Sequence, residues 1–219
     1  YHQSRYGYKT FEEFKEVYDN FKKYQIPIDV MWLDIDAMDN YEIFTINKQF
    51  ENIPSYVKDE IHKDGGKFVP IVDIGISYEN DNSEYLKLGS SLDIFIKSNY
   101  TKKPLIGKVW PGKTVFPDFS NPNIDKFWNK GLEDYYNKVN YDGIWLDMNE
   151  PANLLKHSNI SDCDGEILTK EECNKENNQF YDKDLPYFPG YRENSNKSLS
   201  YRSISENALI YNNLSAYNV

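Results

Sequence analysis

Three short apolar runs of the sequence each end in an aspartate. They read IDVMWLD at residues 28–34, KFVPIVD at residues 67–73 and DGIWLD at residues 142–147. A carboxylate that ends a buried strand is held rigidly, and it can act as a nucleophile or accept hydrogen bonds from substrate hydroxyl groups. The pattern therefore predicts that Asp34, Asp73 and Asp147 gather at one end of a sheet.

The strongest single signal is the run IWLDMNEP at residues 144–151. Trp145 stands two residues before Asp147, so both side chains point to the same face of a strand. A flat aromatic wall beside a fixed carboxylate suits a sugar ring, and a carboxylate below the anomeric carbon can stabilise an oxocarbenium-like transition state and then bond to it. The alternative is an aspartate that only caps the following helix, with Trp145 in the core.

The run WLDID at residues 32–36 repeats this arrangement of an aromatic residue, a spacer and an aspartate. Asp34 and Asp36 would both lie near the end of the strand, where ionised carboxylates accept hydrogen bonds from sugar hydroxyl groups well. Loop capping and a calcium site are the alternatives. The spacing lacks a full calcium-binding loop, so we expect no metal site here.

A third candidate is Trp110, within the run GKVWPG at residues 107–112. Glycine and proline bound it, and the run FPDF follows at residues 116–119. A tryptophan presented on a loop is a natural platform for a sugar ring. A tryptophan that folds back over the strands fits the sequence equally well.

Helical patterns alternate with the apolar runs. We predict helices at residues 10–24 with Thr10 as N-cap, at 55–63 with Ser55 as cap and Gly65-Gly66 as stop, at 124–139, and at 203–217. Residues 75–121 and 154–197 are predicted to be irregular. Helix and strand in alternation indicate a parallel sheet, and the aspartates at the strand ends favour a barrel over a doubly wound sheet.

Composition narrows the class of protein. A net charge of −10 argues against nucleic acid or an anionic membrane as partner. No apolar run approaches the roughly 20 residues of a membrane span. Cys163 and Cys173 could form a disulfide or remain free thiols, and four Asn-x-Ser/Thr triplets fit the secretory pathway; these lie at Asn99, Asn159, Asn196 and Asn213. No cofactor is indicated.

The chain resembles the family 31 glycoside hydrolases, the α-glucosidase family, over essentially its whole length. The motifs HQSRYGY, WLDIDAMD, FTINKQF, GKVWPG, FPDF, YDGIWLDMNEP and LPYFPG occur in the family's order. GKVWPG together with IDAMD is more similar to the lysosomal and intestinal maltase branch than to the endoplasmic-reticulum processing glucosidases.

The resemblance implies roles for particular residues. Asp147 would be the catalytic nucleophile, and Asp34 would bind hydroxyl groups of the non-reducing-end glucose. The residues that would line the same subsite are Tyr6, Ile35, Ile71, Trp110, Trp145 and Met148. The family's acid/base aspartate, with its supporting arginine and histidine, lies on later strands and has no counterpart before Val219.

The expected fold is α/β, the N-terminal half of a (β/α)8 TIM-type barrel, with a long loop insertion between the second and third readable strands. Residues 1–219 would form a single partial catalytic domain, since a complete barrel needs roughly 250 residues. Leu154 stands where related maltases often carry Phe. A second cysteine of a familiar loop disulfide is missing near Ser200, and Cys173 could substitute for it.

The expected function is retaining hydrolysis of terminal α-linked glucose from α-glucans or maltooligosaccharides, in the lysosome or outside the cell. One alternative is a carbohydrate-binding fragment without an acid/base, and another is a glycan-processing glucosidase of the endoplasmic reticulum. A structural α/β domain whose aspartates are only caps is a third. The isolated chain is expected to be inactive because a retaining glycosidase needs a second carboxyl group. It is expected to be marginally stable because an incomplete barrel leaves open strand edges.

Overall fold

A computed structural model describes residues 1–97, 103–149, 152–153 and 202–203. These residues fall into two compact units. The first unit contains Tyr1–Ile74 and Asp125–Asp147, and the second contains Gly75–Ile124 together with the described residues from Met148 onward. The assignment of residues 1–219 to a single domain stays a prediction.

The first unit is built on a four-stranded parallel sheet. Its strands are β1 (His2–Gln3), β2 (Val30–Leu33), β3 (Lys67–Val72) and β7 (Trp145–Leu146), in the order β1-β2-β3-β7. Trp32 pairs with Val69, and Ile71 pairs with Trp145. The predicted parallel half-barrel, with a helix between successive strands from β1 to β3, is thereby confirmed.

Helix α1 (Phe11–Lys23) forms as the sequence predicts. The Thr10 side chain accepts a hydrogen bond from the Glu13 backbone N–H at 3.3 Å, and lysines occupy the last turn. Phe11, Phe14 and Tyr18 form its buried face. The Phe14 ring meets the Phe68 ring of β3 edge-on, with 6.1 Å between centroids, which fixes the helix on one face of the sheet.

The second helix begins earlier than expected. Helix α2 (Ile53–Tyr56) has Pro54 in its first turn, where the missing N–H costs nothing, and a π-helical segment, Val57–Ile61, continues it. The prediction of Ser55 as the cap is wrong: Ser55 lies inside the helix, and its hydroxyl donates to the Asn52 carbonyl at 3.0 Å. Gly65 ends the segment with φ of +83°, as the glycine pair predicted.

The last strand of the sheet is shorter than the predicted 142–147. Before Trp145, the Asp142 carboxylate replaces strand pairing: it accepts a hydrogen bond from the Phe68 N–H at 2.9 Å, while the Asp142 N–H donates to the Phe68 carbonyl. Regular pairing with β3 starts only beyond Pro70, which has no N–H to donate.

The insertion between β3 and β7 belongs mainly to the second unit, and the prediction that residues 75–121 are irregular is wrong. Strands β4 (Ile76–Ser77), β5 (Gly107–Val109) and β6 (Gly112–Val115) form an antiparallel sheet in the order β4-β6-β5. Helix α3 (Glu84–Leu92) is capped by Ser83, whose hydroxyl accepts from the Leu86 N–H at 3.1 Å.

Two further strands of the second unit, β8 (Ala152–Asn153) and β9 (Arg202–Ser203), pair antiparallel. Ser203 therefore does not begin a helix. The rest of the predicted helix at 203–217 lies outside the described residues, as do the predicted loop at 154–197, both cysteines and all four glycosylation triplets. Within the described part of the chain, no helix is long and apolar enough to cross a membrane.

Helix α4 (Ile124–Val139) matches its predicted bounds and leads into β7. Gly131 faces Phe44, a buried residue whose ring packs edge-on against Trp128 and Tyr135 at centroid distances of 5.4 and 6.4 Å. A Cβ added at Gly131 would overlap the Phe44 ring. The glycine therefore lets the helix that precedes Asp147 approach this aromatic group closely.

Gly131→Ala should lower the thermal midpoint of unfolding. Overpacking a filled core typically costs about 1–3 kcal/mol, more than the roughly 1 kcal/mol of helix propensity that alanine adds. Asn129→Ala is the matched control, because Asn129 is exposed on the same helix and gains propensity without a clash. Thermal unfolding of both variants checks this, and a higher midpoint for Gly131→Ala than for Asn129→Ala would contradict the packing.

Candidate active site

Three carboxylates follow the carboxyl ends of adjacent parallel strands. Asp34 follows β2, Asp73 follows β3 and Asp147 follows β7. The ladder continues past the strand ends, because the Asp147 N–H donates to the Val72 carbonyl at 3.4 Å. This register puts Asp73 opposite Asp147, and both stand two residues beyond the paired Ile71 and Trp145. The four side chains therefore share one face of the sheet.

An apolar floor lies one layer below Asp73 and Asp147 on that face. Ile35, Met38 and Ile71 form a buried cluster, and Trp145 packs against it. The Trp145 ring meets the Trp32 ring edge-on at 5.9 Å. The structure thus brings together Ile35, Ile71 and Trp145, which the sequence proposed for one sugar subsite.

Trp32 is fixed from its other side by His2 on β1. The Trp32 indole Nε1–H donates to His2 Nδ1 at 3.1 Å, and the two rings are 5.8 Å apart. The single donor of the indole is thus satisfied, and the Trp32 ring is held between His2 and Trp145. The floor is consequently built from all four strands of the sheet.

Asp34 has one oxygen committed to the backbone. Its Oδ1 accepts from the Ile35 N–H at 2.7 Å and caps a 3₁₀ turn, Ile35–Ala37. Among the described residues, Oδ2 has no hydrogen-bond partner. Burial raises the pKa of Asp34, the Ile35 N–H opposes this rise, and the nearby charges of Asp36 and Asp147 add to it. Asp34 can therefore cap the turn and still offer an acceptor.

Asp36 is tied to the segment that follows β1. Its two oxygens accept from Lys9 Nζ at 2.6 Å and from the Gly7 N–H at 2.7 Å. Lys9 also lies over the Tyr6 ring, 4.7 Å from its centroid, and Tyr6 is 59% exposed. Asp36 therefore positions the loop that carries Tyr6, and its charge is compensated by Lys9.

Asp73 is the most deeply buried of the carboxylates, with only 2% of the residue exposed. Neither of its oxygens has a hydrogen-bond partner among the described residues. Burial raises its pKa to about 7, and the charges of Asp147 and Asp34 add to the effect. The sequence placed Asp73 in the cluster but assigned it no role; what sets it apart is that its strand lies between the two other strands that a cluster aspartate follows.

Asp147 is half-buried at the end of the outermost described strand. Leu146, the residue before it, turns to the opposite face and is 52% exposed. Met148, the residue after it, has φ of +59°, a left-handed conformation that is uncommon for a side chain of this size. The chain thus turns sharply directly after the carboxylate.

Trp110 and Met148 belong to the second unit. Trp110 and Pro111 form the two-residue tip of the β5–β6 hairpin, with Val109 paired to Gly112. Gly112 has φ of +96°, which the tight turn requires. The Trp110 ring is 44% exposed, so it does not fold back into a core; its role as a sugar platform stays a prediction.

The arrangement suits chemistry on a polar, ring-shaped substrate. Carboxylates stand beside a floor of aromatic and aliphatic side chains, a combination that suits a sugar with apolar faces and a polar rim. Among the described residues, no group of three or more histidine, cysteine, aspartate or glutamate side chains has the geometry to hold a metal ion. Sequence reasoning missed Trp32 and Met38 as floor residues; the repeated Trp-Leu-Asp pattern was the available signal for Trp32.

Comparison with known proteins agrees with this geometry. A family model described as the glycosyl hydrolases family 31 TIM-barrel domain matches residues 1–208. Glucoamylase 1 of Candida albicans is 42% identical over 162 residues, which cover 70% of this chain and 17% of the relative. The lysosomal alpha-glucosidase of Mus musculus is 40% identical over 161 residues, covering 72% of this chain and 17% of the relative.

Solved structures give the same result. The crystal structure of the ER glucosidase II complex, with its catalytic subunit and the binding domain of its regulatory subunit, matches with a TM-score of 0.63 and 30% identity. The match covers 70% of this chain and 17% of that chain, so the described protein spans about a sixth of the length of these relatives. The chain belongs to the family 31 glycosyl hydrolases, and its residues form part of their TIM-barrel domain.

Proposed function

We propose that the chain provides the nucleophile and part of the glucose subsite of a retaining α-glucosidase. The observation that carries the proposal is Asp147, which ends a strand beside Trp145 in the run WLDMNEP and faces the same side of the sheet as Asp34. The names of the relatives, glucoamylase and lysosomal alpha-glucosidase, support α-linked glucose as the substrate.

In the proposed reaction, an oxygen of Asp147 attacks the anomeric carbon of the terminal glucose. The bond between that carbon and the glycosidic oxygen breaks, and the departing oxygen takes a proton from an acid/base carboxyl group. Water, deprotonated by the same group, then cleaves the glucosyl ester and releases Asp147 with retention. By the resemblance, this acid/base aspartate is a residue other than those described.

The remaining residues would hold the sugar. The free Oδ2 of Asp34 would accept hydrogen bonds from hydroxyl groups at the far edge of the ring, and Trp145 would face its apolar side. Other lining residues are proposed as one set: Tyr6, Ile35, Ile71, Trp110 and Met148. No role in proton transfer is proposed for any of them.

Two other functions would use some of the same residues. A carbohydrate-binding protein without turnover would use Asp34 and Trp110 but show no covalent intermediate. A glycan-processing enzyme of the endoplasmic reticulum gains support from the match to ER glucosidase II. Both kinds of relative point to the secretory pathway, which we propose as the location of this protein, with α-glucans or maltooligosaccharides as its partners.

Asp147→Asn in the full-length protein should lower turnover of maltose by several orders of magnitude, because a catalytic unit that loses its nucleophile retains only residual activity. Asp59→Asn makes the same chemical change on the outer helical segment and should leave turnover unaltered, since Asp59 is exposed. A mechanism-based cyclitol epoxide should label the peptide that contains Asp147. A mutant that keeps more than about a tenth of the activity would refute the assignment.

Asp34→Ala and Trp110→Ala should weaken binding of a glucose-like inhibitor. A sugar hydroxyl left without its acceptor costs about 1–3 kcal/mol, which corresponds to roughly a 5- to 150-fold rise in the inhibition constant. Asp34→Asn keeps an oxygen that can cap Ile35, so it separates loss of the turn from loss of the acceptor. Trp110→Phe keeps an aromatic face and should bind more tightly than Trp110→Ala. Inhibition constants unchanged in both alanine variants would contradict the placement.

A further inference from the structure

The carboxyl group of Asp73 lies in an environment that disfavours its ionised form. It follows β3, which lies between β2 and β7, and is 2% exposed. Neither oxygen has a hydrogen-bond partner among the described residues. A buried charge without a partner costs several kcal/mol, and such a group usually takes up a proton instead. The position therefore favours the neutral acid.

The charged groups near Asp73 favour its neutral form further. Asp34 at the end of β2 and Asp147 at the end of β7 both act on it electrostatically, and each opposes its ionisation. Asp36, the other acidic residue that follows β2, is bound by Lys9 and by the Gly7 N–H. Burial disfavours the charged form of a carboxyl group most where water solvates it least, and Asp73 is the most deeply buried of these residues.

The strand register determines which neighbour the proton can reach. Asp73 stands opposite Asp147 on the same face, across one gap between parallel strands, which is about 4.8 Å wide. A protonated carboxyl has one O–H donor, and a neighbouring carboxylate is a strong acceptor. Asp34 lies on the other side of Asp73, with one oxygen already bonded to the Ile35 N–H.

We propose that Asp73 is a positioning residue that stays protonated and donates a hydrogen bond to the carboxylate of Asp147. The inference rests on the proposed function of Asp147 as nucleophile. In this arrangement the pair holds one negative charge, and that charge stays on the group that attacks the anomeric carbon. The proton stays on Asp73 throughout, so no proton transfer is added to the reaction.

The donor would serve both halves of the reaction. Before attack it would orient one oxygen of Asp147, so that the other can face the anomeric carbon. When the glucosyl ester is hydrolysed, the carbon–oxygen bond breaks and the electron pair returns to Asp147, where the same hydrogen bond stabilises the returning charge. A hydrogen bond to a charged group contributes about 1.5–3 kcal/mol, so its loss should slow turnover about 10- to 150-fold.

Stability gives a test that does not depend on activity. The pKa of folded Asp73 is about 7, above its ordinary value of 3.8. The folded state therefore holds this proton more tightly than the unfolded state, so stability is complete at low pH and is lost as the pH rises through about 7. Asp73→Asn cannot ionise, so the difference between its thermal midpoint and that of the wild type should shift in favour of Asp73→Asn between about pH 4 and pH 7.

The experiment uses the full-length protein with Asp73→Asn, Asp73→Ala and Asp147→Asn. Infrared difference spectra at about pH 5.5 should show a protonated-carboxyl carbonyl band that Asp73→Asn removes and that Asp147→Asn shifts, because its acceptor has changed. In maltose hydrolysis, Asp73→Ala should lower kcat with little change in KM. Asp73→Asn, which still has a donor, should keep more activity, and its kcat relative to wild type should rise with pH.

The two proposals can fail separately. No carboxyl band lost in Asp73→Asn, or a thermal difference that does not vary with pH, would overturn the role of Asp73 even if Asp147→Asn is inactive. A kcat of Asp73→Ala equal to that of the wild type would do the same. If Asp147→Asn is fully active while the band is lost in Asp73→Asn and shifted in Asp147→Asn, the hydrogen-bonded pair stands and the nucleophile assignment fails. Should Asp73→Ala not fold, Asp73→Asn and the spectra still decide the question.

Discussion

The pairing of β3 with a parallel strand on each side is the constraint on which the site depends. Because all three strands run in the same direction, Asp34, Asp73 and Asp147 meet at one edge and share one face. The same register places Asp73 and Asp147 two residues beyond Ile71 and Trp145, and Asp34 two residues beyond Trp32. A slip of one residue would turn each carboxylate to the opposite face, so the register that builds the apolar floor also positions the chemistry.

Much of this arrangement could be predicted from the sequence, because it depends on short-range patterns. Apolar runs of strand length that end in aspartate, and the spacing of Phe11, Phe14 and Tyr18 on α1, each have a period that identifies the element. What could not be predicted depends on contacts distant in the chain. The Asp142 side chain bonds to the Phe68 N–H in place of a paired strand, which shortens β7. No local sequence pattern predicts this contact.

The secondary structure of the insertion between β3 and β7 also could not be predicted from the sequence. Its strands are two to four residues long, too short for alternation to be read, and its hairpin turns on Trp110-Pro111 with the special backbone at Gly112 rather than on a familiar Asn-Gly pair. The burial of Asp73 could not be predicted from the sequence either. The sequence shows that it ends a strand, but only the order β2-β3-β7 shows that its strand is the central one, with a carboxylate on each side.

The pKa values of the carboxyl groups at the two ends of the sheet are shifted in opposite directions. At the end where β3 begins, Asp142 accepts from His62, Lys67 and the Phe68 N–H; partial burial alone would raise its pKa, but these bonds outweigh it and hold the pKa below 3.8. At the carboxyl end, Asp73 has no such donors among the described residues, and its pKa rises. A fully bonded carboxylate stabilises the fold. A buried carboxyl group without donors lowers stability. Such groups are typical of functional sites, where the proton that they hold serves the chemistry.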